Sequence, residues 1–296
     1  MNADKRKFFL LVLLSGLILS FSAFGQVGEP KAKVAEEKFQ TLRLDSKLMG
    51  REMPYRVIVP ENYTNSNETQ RYPVIYLLHG LTGHFDNWTD KTKLAQYASA
   101  YKVIIVTSEG GDGWYTDSVT VANDKYESYI VQELIPEIDK KFRTLATRDK
   151  RSIAGLSMGG YGGMKFGLKY PDKFVLAGSF SGAVQAASYS EKTIGNMGKA
   201  IDAIFGPDNG EVRNANDIFK IVKDLTPEKI KALPFLYVDC GTEDFLFKSN
   251  RDFVSLLIEK KVPHEFRELP GAHDWNYWDK QVQEFLRLAD RSFAGK

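Results

Sequence analysis

The sequence is poor in the residues from which metal centres and disulfide frameworks are built. Its 296 residues include one cysteine, Cys240, and only four histidines. A lone cysteine cannot form an internal disulfide, and no Cys/His spacing typical of a structural zinc site occurs. We therefore predict a fold held by its hydrophobic core, with no metal and no cofactor, since a chain of this length can bury such a core.

An excess of either charge is also missing. The chain has 40 basic and 38 acidic residues, and 37 of each remain once the first 25 residues are set aside. Proteins that bind nucleic acid or anionic membranes usually carry a basic excess. The sequence therefore predicts no nucleic acid partner, and it carries no sign of an oligomeric state.

No apolar run is long enough for a comfortable membrane span. The longest, Phe8 to Phe24, follows the basic stretch Lys5 to Lys7 and ends near the small residues Ala23 and Gly25. That order is typical of a signal peptide, and a span would need roughly 20 residues. We predict a signal peptide over 1–25, cleaved after Gly25, then a flexible segment over 26–38. The protein would be secreted or periplasmic without a stable membrane anchor; an uncleaved anchor is the alternative.

What the sequence does contain is a regular alternation of apolar runs and helical patterns. Two antiparallel strands are predicted first, followed by six strands in YPVIYLLHG, YKVIIVTSE, RSIAGLS, KFVLAGSFSG, LPFLYVDCG and HEFRELPG. Continuous apolar runs of this kind favour a mostly parallel central sheet with helices on both faces, an α/β fold. Ligands of such sheets bind beyond the carboxyl ends of the strands.

The segment at about 184–233 departs from this alternation. It lies between two predicted strands and contains GNMGKAIDAIFGPDNGE, which indicates short helices and turns. Long insertions of this kind are either surface features without a role or partial lids over a binding pocket. We favour a small lid-like insertion and keep the surface insertion as the alternative.

A serine surrounded by glycines stands in RSIAGLSMGGYGGMKFGLKYP. The spacing fits neither a phosphate-binding loop nor a dinucleotide fingerprint, because lysine and glycine do not follow at the required positions. Gly155 to Gly159 do match G-x-S-x-G, the nucleophile elbow, with a strand before and a helix after Ser157. The elbow needs glycine two residues before and two after the serine, where side chains would collide. Ser157 is therefore the predicted nucleophile.

A serine nucleophile requires a base, and an acid to orient that base. His273 lies in LPGAHDWNYW, after the last predicted strand and at the sheet edge where Ser157 emerges. In α/β sheets of this kind the acid lies between the serine and the histidine in the chain, and LYVDCGTEDFLF offers Asp239, Glu243 and Asp244. We predict His273 as base and Asp244 as acid, with Asp239 as the alternative acid.

Acyl transfer also requires two backbone N–H groups that face the developing oxyanion. Met158 directly follows the nucleophile, and Leu81 lies in LLHGLTGH after the third strand. Glycines at 80 and 83 allow this loop to turn its amides toward the serine. The amides of Leu81 and Met158 are the predicted oxyanion hole.

Together these segments resemble the esterase D-like branch of the α/β hydrolases, which includes tributyrin, feruloyl and acetyl esterases, S-formylglutathione hydrolases and mycolyl transferases. The resemblance covers roughly Arg51 to Leu288. It rests on YLLHGLTGHFDNW, GDGWYTD, IAGLSMGGYGGM, DCGTEDFLF and LPGAHDWNYW. It implies an α/β-hydrolase catalytic domain over 39–296 and the same catalytic residues and oxyanion amides.

Three aromatic residues are candidates for substrate binding within this resemblance. Trp114 and Tyr115 lie in GWYTD and Trp275 lies two residues beyond the predicted base. Each either packs in the core or lines the pocket for an acyl, phenolic or sugar group. The predicted activity is hydrolysis of a small-molecule or carbohydrate-linked ester; an acyltransferase on the same site and a non-catalytic carbohydrate-binding module are the alternatives.

Overall fold

The computed structural model describes residues 39–61 and 63–295, so the predicted signal peptide and the segment 26–38 lie outside the described residues. Within these ranges eight strands form one sheet in the order β1-β2-β4-β3-β5-β6-β7-β8. The strands are β1 (Gln40–Ser46), β2 (Arg51–Ile58), β3 (Val74–Leu78), β4 (Ile104–Ser108), β5 (Arg151–Leu156), β6 (Leu176–Phe180), β7 (Phe235–Gly241) and β8 (His264–Leu269). The β1–β2 and β2–β4 pairs are antiparallel and the others are parallel. The predicted sheet is confirmed.

Helices connect the strands and cover both faces of the sheet. They are α1 (Asn87–Asp90), α2 (Leu94–Ala98), α3 (Tyr126–Ser128), α4 (Ile135–Lys141), α5 (Met158–Lys169), α6 (Glu191–Ile194), α7 (Asn196–Phe205), α8 (Glu211–Asn216), α9 (Ile218–Lys223), α10 (Pro227–Ala232), α11 (Phe247–Glu259) and α12 (Trp275–Phe293). A π-helical stretch, Tyr129–Leu134, joins α3 to α4, and two 3-10 turns span Arg148–Lys150 and Ala186–Ser188. None of the helices in the described ranges is long and apolar enough to cross a membrane.

The central strands are enclosed on both faces, which is why their sequences are apolar without interruption. Every residue of β3, β4, β5 and β6 is buried. Alternate residues of a strand point to opposite faces. Tyr76 accordingly packs in the core layer that contains α5, whereas Ile75 and Leu77 pack in the layer that contains α12. Two core layers therefore fix the sheet, and with it the positions of the loops at its carboxyl edge.

The insertion between β6 and β7 consists of short helices, α6 to α10. Its internal structure is organised around Arg213, whose guanidinium donates to the carbonyl oxygens of Gly206, Ala187 and Tyr189. The insertion is also attached to α5, since the hydroxyl of Tyr161 on α5 donates to the carbonyl oxygen of Asn216 at 2.7 Å. The short helices predicted for this segment are present, and its role as a lid stays a prediction.

Candidate active site

Ser157 occupies the turn between β5 and α5 in a backbone conformation that only a few per cent of non-glycine residues adopt. Its φ is 53° and its ψ is −116°. The surrounding backbone holds this strained conformation, because the Ser157 N–H donates to Phe180 O at 3.0 Å and its carbonyl accepts from the Ala183 N–H at 2.9 Å. The side chain of Ser157 is thereby raised beyond the carboxyl edge of the sheet.

The two glycines of the motif are required by close backbone contacts. A Cβ atom on Gly155 would lie 2.5 Å from the carbonyl group of Gly159, and one on Gly159 would lie 2.5 Å from Leu78 O. The glycines that follow serve packing: a Cβ on Gly163 would lie 2.4 Å from Gly178 O. The crowding that the sequence motif implies is therefore present at both motif positions.

His273 and Asp244 complete a continuous hydrogen-bond chain with Ser157. The Ser157 hydroxyl lies 3.0 Å from His273 Nε2, and His273 Nδ1 lies 2.8 Å from Asp244 Oδ2. Burial raises the pKa of Asp244, but hydrogen bonds from His273 and from the Leu246 amide outweigh burial and lower the pKa below its usual value. A charged Asp244 accepts the Nδ1 proton, so Nε2 is left as the acceptor for the serine hydroxyl.

The loops that carry Asp244 and His273, the predicted acid and base, are hydrogen-bonded to each other along the backbone. Thr242 N–H donates to Leu269 O at 2.9 Å, and Glu243 N–H donates to Gly271 O at 3.0 Å. A Cβ on Gly241 would lie 2.1 Å from Gly271 O, so the two chains pass in direct contact. This backbone ladder extends the β7–β8 pairing to the site and fixes the distance between the two loops.

Asp239, the alternative acid, does not lie in the hydrogen-bond chain. It lies within β7, fully buried, and burial holds its pKa well above the usual range of a carboxyl group. Its side chain makes no hydrogen bond to His273, whereas Asp244 makes one of 2.8 Å. Of the carboxylates that this segment offers, the structure therefore brings Asp244 to the histidine.

The other three histidines are placed differently. His79 is fully buried, its Nδ1 bonds to Gly80 O at 2.8 Å, and its Nε2 accepts from the Gly110 N–H at 2.9 Å. His79 thus joins the loop after β3 to the loop after β4. His84 is exposed beside a carboxylate, and His264 Nδ1 bonds to a backbone carbonyl at 2.7 Å. His273 is the one histidine in the described ranges that reaches Ser157.

The amides of Leu81 and Met158 both adjoin the serine. Met158 is the first residue of α5, so its N–H has no acceptor within the helix. The loop of Leu81 passes next to the nucleophile, since a Cβ on Gly80 would lie 3.3 Å from Ser157 Cβ. Within 39–61 and 63–295, neither amide donates to another residue. Both are thus available to a substrate oxygen.

Comparison with known proteins identifies the group to which this arrangement belongs. A model of the Esterase family matches residues 46–288. The chain belongs to the Esterase family. The acetyl esterase of Caldicellulosiruptor saccharolyticus is 27% identical over 247 residues, which is 80% of this chain and 92% of that protein.

Solved structures of esterases share the fold. A ferulic acid esterase with 27% identity superposes with a TM-score of 0.73 and covers 86% of this chain and 98% of its own. The S-formylglutathione hydrolase of Staphylococcus aureus, 26% identical, has a TM-score of 0.72 over 85% of this chain and 98% of its own. The predicted α/β-hydrolase fold is confirmed, and this esterase is a carboxylic ester hydrolase.

Two of the three aromatic candidates for substrate binding are buried inside the esterase. Tyr115 has no exposed surface, and its hydroxyl donates to His79 O at 2.9 Å. Trp114 is buried with its ring edge-on to Tyr161 at 6.0 Å. In this conformation both are packing residues, the alternative that the sequence left open.

The third aromatic candidate, Trp275, is half-buried at the start of α12. Its ring lies edge-on to Trp88 at 5.6 Å and to Trp278 at 5.3 Å. Trp278 in turn lies edge-on to the ring of His273 at 4.9 Å. Trp275 therefore packs against Trp278, which contacts the predicted base, and a direct contact of Trp275 with substrate stays a prediction.

Sequence reasoning missed a buried ion pair beside the site of the esterase. The Lys165 side chain has no exposed surface and its Nζ contacts Glu127 Oε2 at 2.8 Å, Thr116 Oγ1 at 2.8 Å and Tyr115 O at 2.5 Å. Burial lowers the pKa of Lys165 to about 8 although Glu127 opposes that shift. The pair anchors the loop after β4 to α5. No sequence signal marks it, because lysines in helices usually face solvent.

Proposed function

We propose that this esterase is a secreted serine carboxylesterase that acts through an acyl-enzyme intermediate. The observation that carries the proposal is the chain of two hydrogen bonds, 3.0 Å and 2.8 Å, from Ser157 through His273 to Asp244. Its geometry meets the requirement that nucleophile and base lie within hydrogen-bond reach and that a third group orients the base. A non-catalytic binding module would have no use for this alignment.

Each residue then has one task in the reaction. His273 Nε2 takes the hydroxyl proton as Ser157 Oγ attacks the ester carbonyl carbon, and the N–H groups of Leu81 and Met158 donate to the oxyanion. The tetrahedral intermediate collapses as His273 returns the proton to the leaving alcohol. Water, activated by the same imidazole, hydrolyses the acyl-enzyme. Asp244 holds the imidazole in the productive tautomer and stabilises its cation.

Short-chain or aromatic acyl esters, including those on plant polysaccharides, are the proposed substrates. The support is the similarity to an acetyl esterase and to a ferulic acid esterase. The sequence pattern over residues 1–25 supports export with cleavage after Gly25. N-terminal sequencing of the protein recovered from the periplasm or medium tests the export proposal, and an intact Met1 would contradict it.

The activity is tested with a panel of esters and one active-site variant. Purified protein is assayed on p-nitrophenyl acetate, p-nitrophenyl butyrate, methyl ferulate and acetylated xylan. Ser157→Ala should lower turnover by about 10⁴-fold or more. Ser255→Ala, an exposed serine on α11, is the matched control and should behave as wild type. Retained turnover in Ser157→Ala would contradict the assignment of the nucleophile.

The same acyl-enzyme could instead be resolved by an alcohol. Product analysis in the presence of an added alcohol or sugar separates hydrolysis from transfer. Free acid as the main product supports the esterase, and a dominant transferred ester would make the protein an acyltransferase with the same three residues.

A further inference from the structure

Phe245 is the most exposed large apolar side chain in the described part of the protein, with 77% of its surface accessible. Its ring lies tilted beside the imidazole of His273, with ring centroids 4.6 Å apart and an angle of 49° between the planes. Trp278 meets the same imidazole edge-on at 4.9 Å. The His273 imidazole therefore contacts one buried and one exposed aromatic ring, and the rest of the Phe245 ring is open to solvent.

The backbone position of Phe245 is fixed by the turn that orients the acid. Asp244 N–H donates to Gly241 O at 3.1 Å, Leu246 N–H donates to Asp244 Oδ1 at 2.8 Å, and Phe247 N–H donates to Asp244 O at 2.9 Å. Phe245 lies between the residues joined by the last two of these bonds. Its backbone is therefore held by the hydrogen bonds that place Asp244.

A single exposed apolar residue usually needs no explanation. Ile258 on α11 is an example, with 63% of its surface accessible. Phe245 differs because it contacts the proposed base, where an exposed aromatic ring can be covered by a bound substrate. Covering its open face would remove apolar surface from water.

The position beside His273 indicates which part of the substrate is covered. In acyl-enzyme formation the imidazole delivers its proton to the leaving alcohol oxygen as the carbon–oxygen bond breaks. The group next to the imidazole is then the alcohol portion of the ester, whereas the acyl portion stays on Ser157.

We infer that Phe245 is a specificity-determining residue that binds the alcohol portion of the ester, and that it selects alcohols with a flat apolar face, namely phenols and sugar rings. This inference rests on the proposed function. An aromatic ring stacks on phenols and on the C–H face of a pyranose, and it offers little to a short alkyl alcohol.

Esters that share one acyl group test the inference. Ethyl acetate, phenyl acetate and an O-acetylated methyl xyloside are compared in wild type, Phe245→Ala, Phe245→Leu and the control Ile258→Ala. Each substrate is scored as the ratio of kcat/KM in the variant to that in wild type, so differences in intrinsic reactivity cancel. We expect a roughly tenfold loss on phenyl acetate and on the xyloside in Phe245→Ala, mainly through KM, and less than about twofold on ethyl acetate.

Other outcomes separate the roles that Phe245 could have. An equal loss on all three esters, with a displaced pH profile of kcat/KM, would show that Phe245 acts on His273 itself and would overturn the inference. Unchanged ratios on all three would overturn it as well. If wild type hydrolyses none of the three acetates, the series is repeated with the acyl group that it accepts best in the panel above; if it hydrolyses no ester of that panel either, the proposed function fails and the inference fails with it. Circular dichroism verifies folding, and Phe245→Leu carries the test if Phe245→Ala does not fold.

Discussion

The Glu127 carboxylate and the Lys165 ammonium lie 2.8 Å apart, and Lys165 belongs to α5, the helix that directly follows Ser157. Lys169 reaches the other oxygen of Glu127 at 2.6 Å, so one carboxylate compensates two cations. Because Lys165 also donates to the carbonyl oxygen of Tyr115, the charge network joins the elbow helix to the loop after β4. Removing one partner from such a network leaves the other charge buried and unpaired.

Glu127→Gln should therefore lower the free energy of unfolding by about 3 to 5 kcal/mol, because Lys165 stays buried without its counterion. Urea denaturation followed by circular dichroism measures the change. Glu259→Gln, an exposed residue at the end of α11, is the control and should shift the value by less than about 0.5 kcal/mol. The double variant Glu127→Gln/Lys165→Met should recover part of the loss. Equal free energies of unfolding for Glu127→Gln and Glu259→Gln would contradict the prediction.

The same network makes the free energy of unfolding depend on pH, and the pKa shift of Glu127 sets the direction of that dependence. Burial raises the pKa of Glu127, but Lys165 and Lys169 outweigh burial and hold it at about 2, below the value of about 4.3 expected in the unfolded chain. The carboxylate therefore contributes stability above about pH 4.3 and loses that contribution as the pH falls toward 2. Wild type should lose more unfolding free energy than Glu127→Gln between pH 5 and 3. If the unfolding free energies of wild type and Glu127→Gln fall in parallel over this pH range, this prediction is wrong.

Gly159→Ala should destabilise the elbow. The added Cβ would lie 2.5 Å from Leu78 O and 2.6 Å from His79 O, and these backbone atoms cannot move without shifting β3. We expect a loss of about 1 to 3 kcal/mol or more in stability, together with reduced turnover. Gly210→Ala is the milder comparison, because Gly210 has an ordinary φ of −63° and an added Cβ would come no closer than 3.0 Å to another residue, at Pro207 O. Thermal melting of both variants measures the difference, and similar melting temperatures would contradict the prediction.

Asp244→Asn should reduce turnover while the fold is kept. The amide can donate to His273 Nδ1 and so favour the tautomer that carries its proton on Nε2, which cannot accept from Ser157. We expect kcat on p-nitrophenyl acetate to fall by about 10⁴-fold. Asp172→Asn, an exposed aspartate with 75% of its side chain accessible, serves as the control. Near-normal kcat in Asp244→Asn would assign the orienting role to another group.

The strands and the chain order of the candidate triad could be predicted from the sequence because each has a physical cause that is local. Strands enclosed on both faces need continuous apolar runs, and the elbow needs Gly155 and Gly159 where the backbones touch. The candidate acid and base then follow from the strand ends that parallel pairing gathers at one edge. The choice between Asp239 and Asp244 depended on which carboxylate follows the strand rather than lies within it.

The orientation of side chains in loops could not be predicted in this way. Trp114 and Tyr115 have φ values of 51° and 50°, a conformation that a sequence pattern does not indicate. They face the core, whereas Phe245 in the loop after β7 faces solvent. The burial of Lys165 was equally hidden, because its partner Glu127 lies 38 residues away and on another element.

The three side chains of the proposed triad follow three different strands, β5, β7 and β8, and the last of these lies at one end of the sheet order. Helices can form from contacts close in sequence, whereas this site exists only when strands far apart in the chain have paired. During refolding from denaturant, ester hydrolysis should therefore return later than the helical circular dichroism signal. The recovery of ester hydrolysis would therefore report when β8, the last strand in the chain, has paired with the sheet.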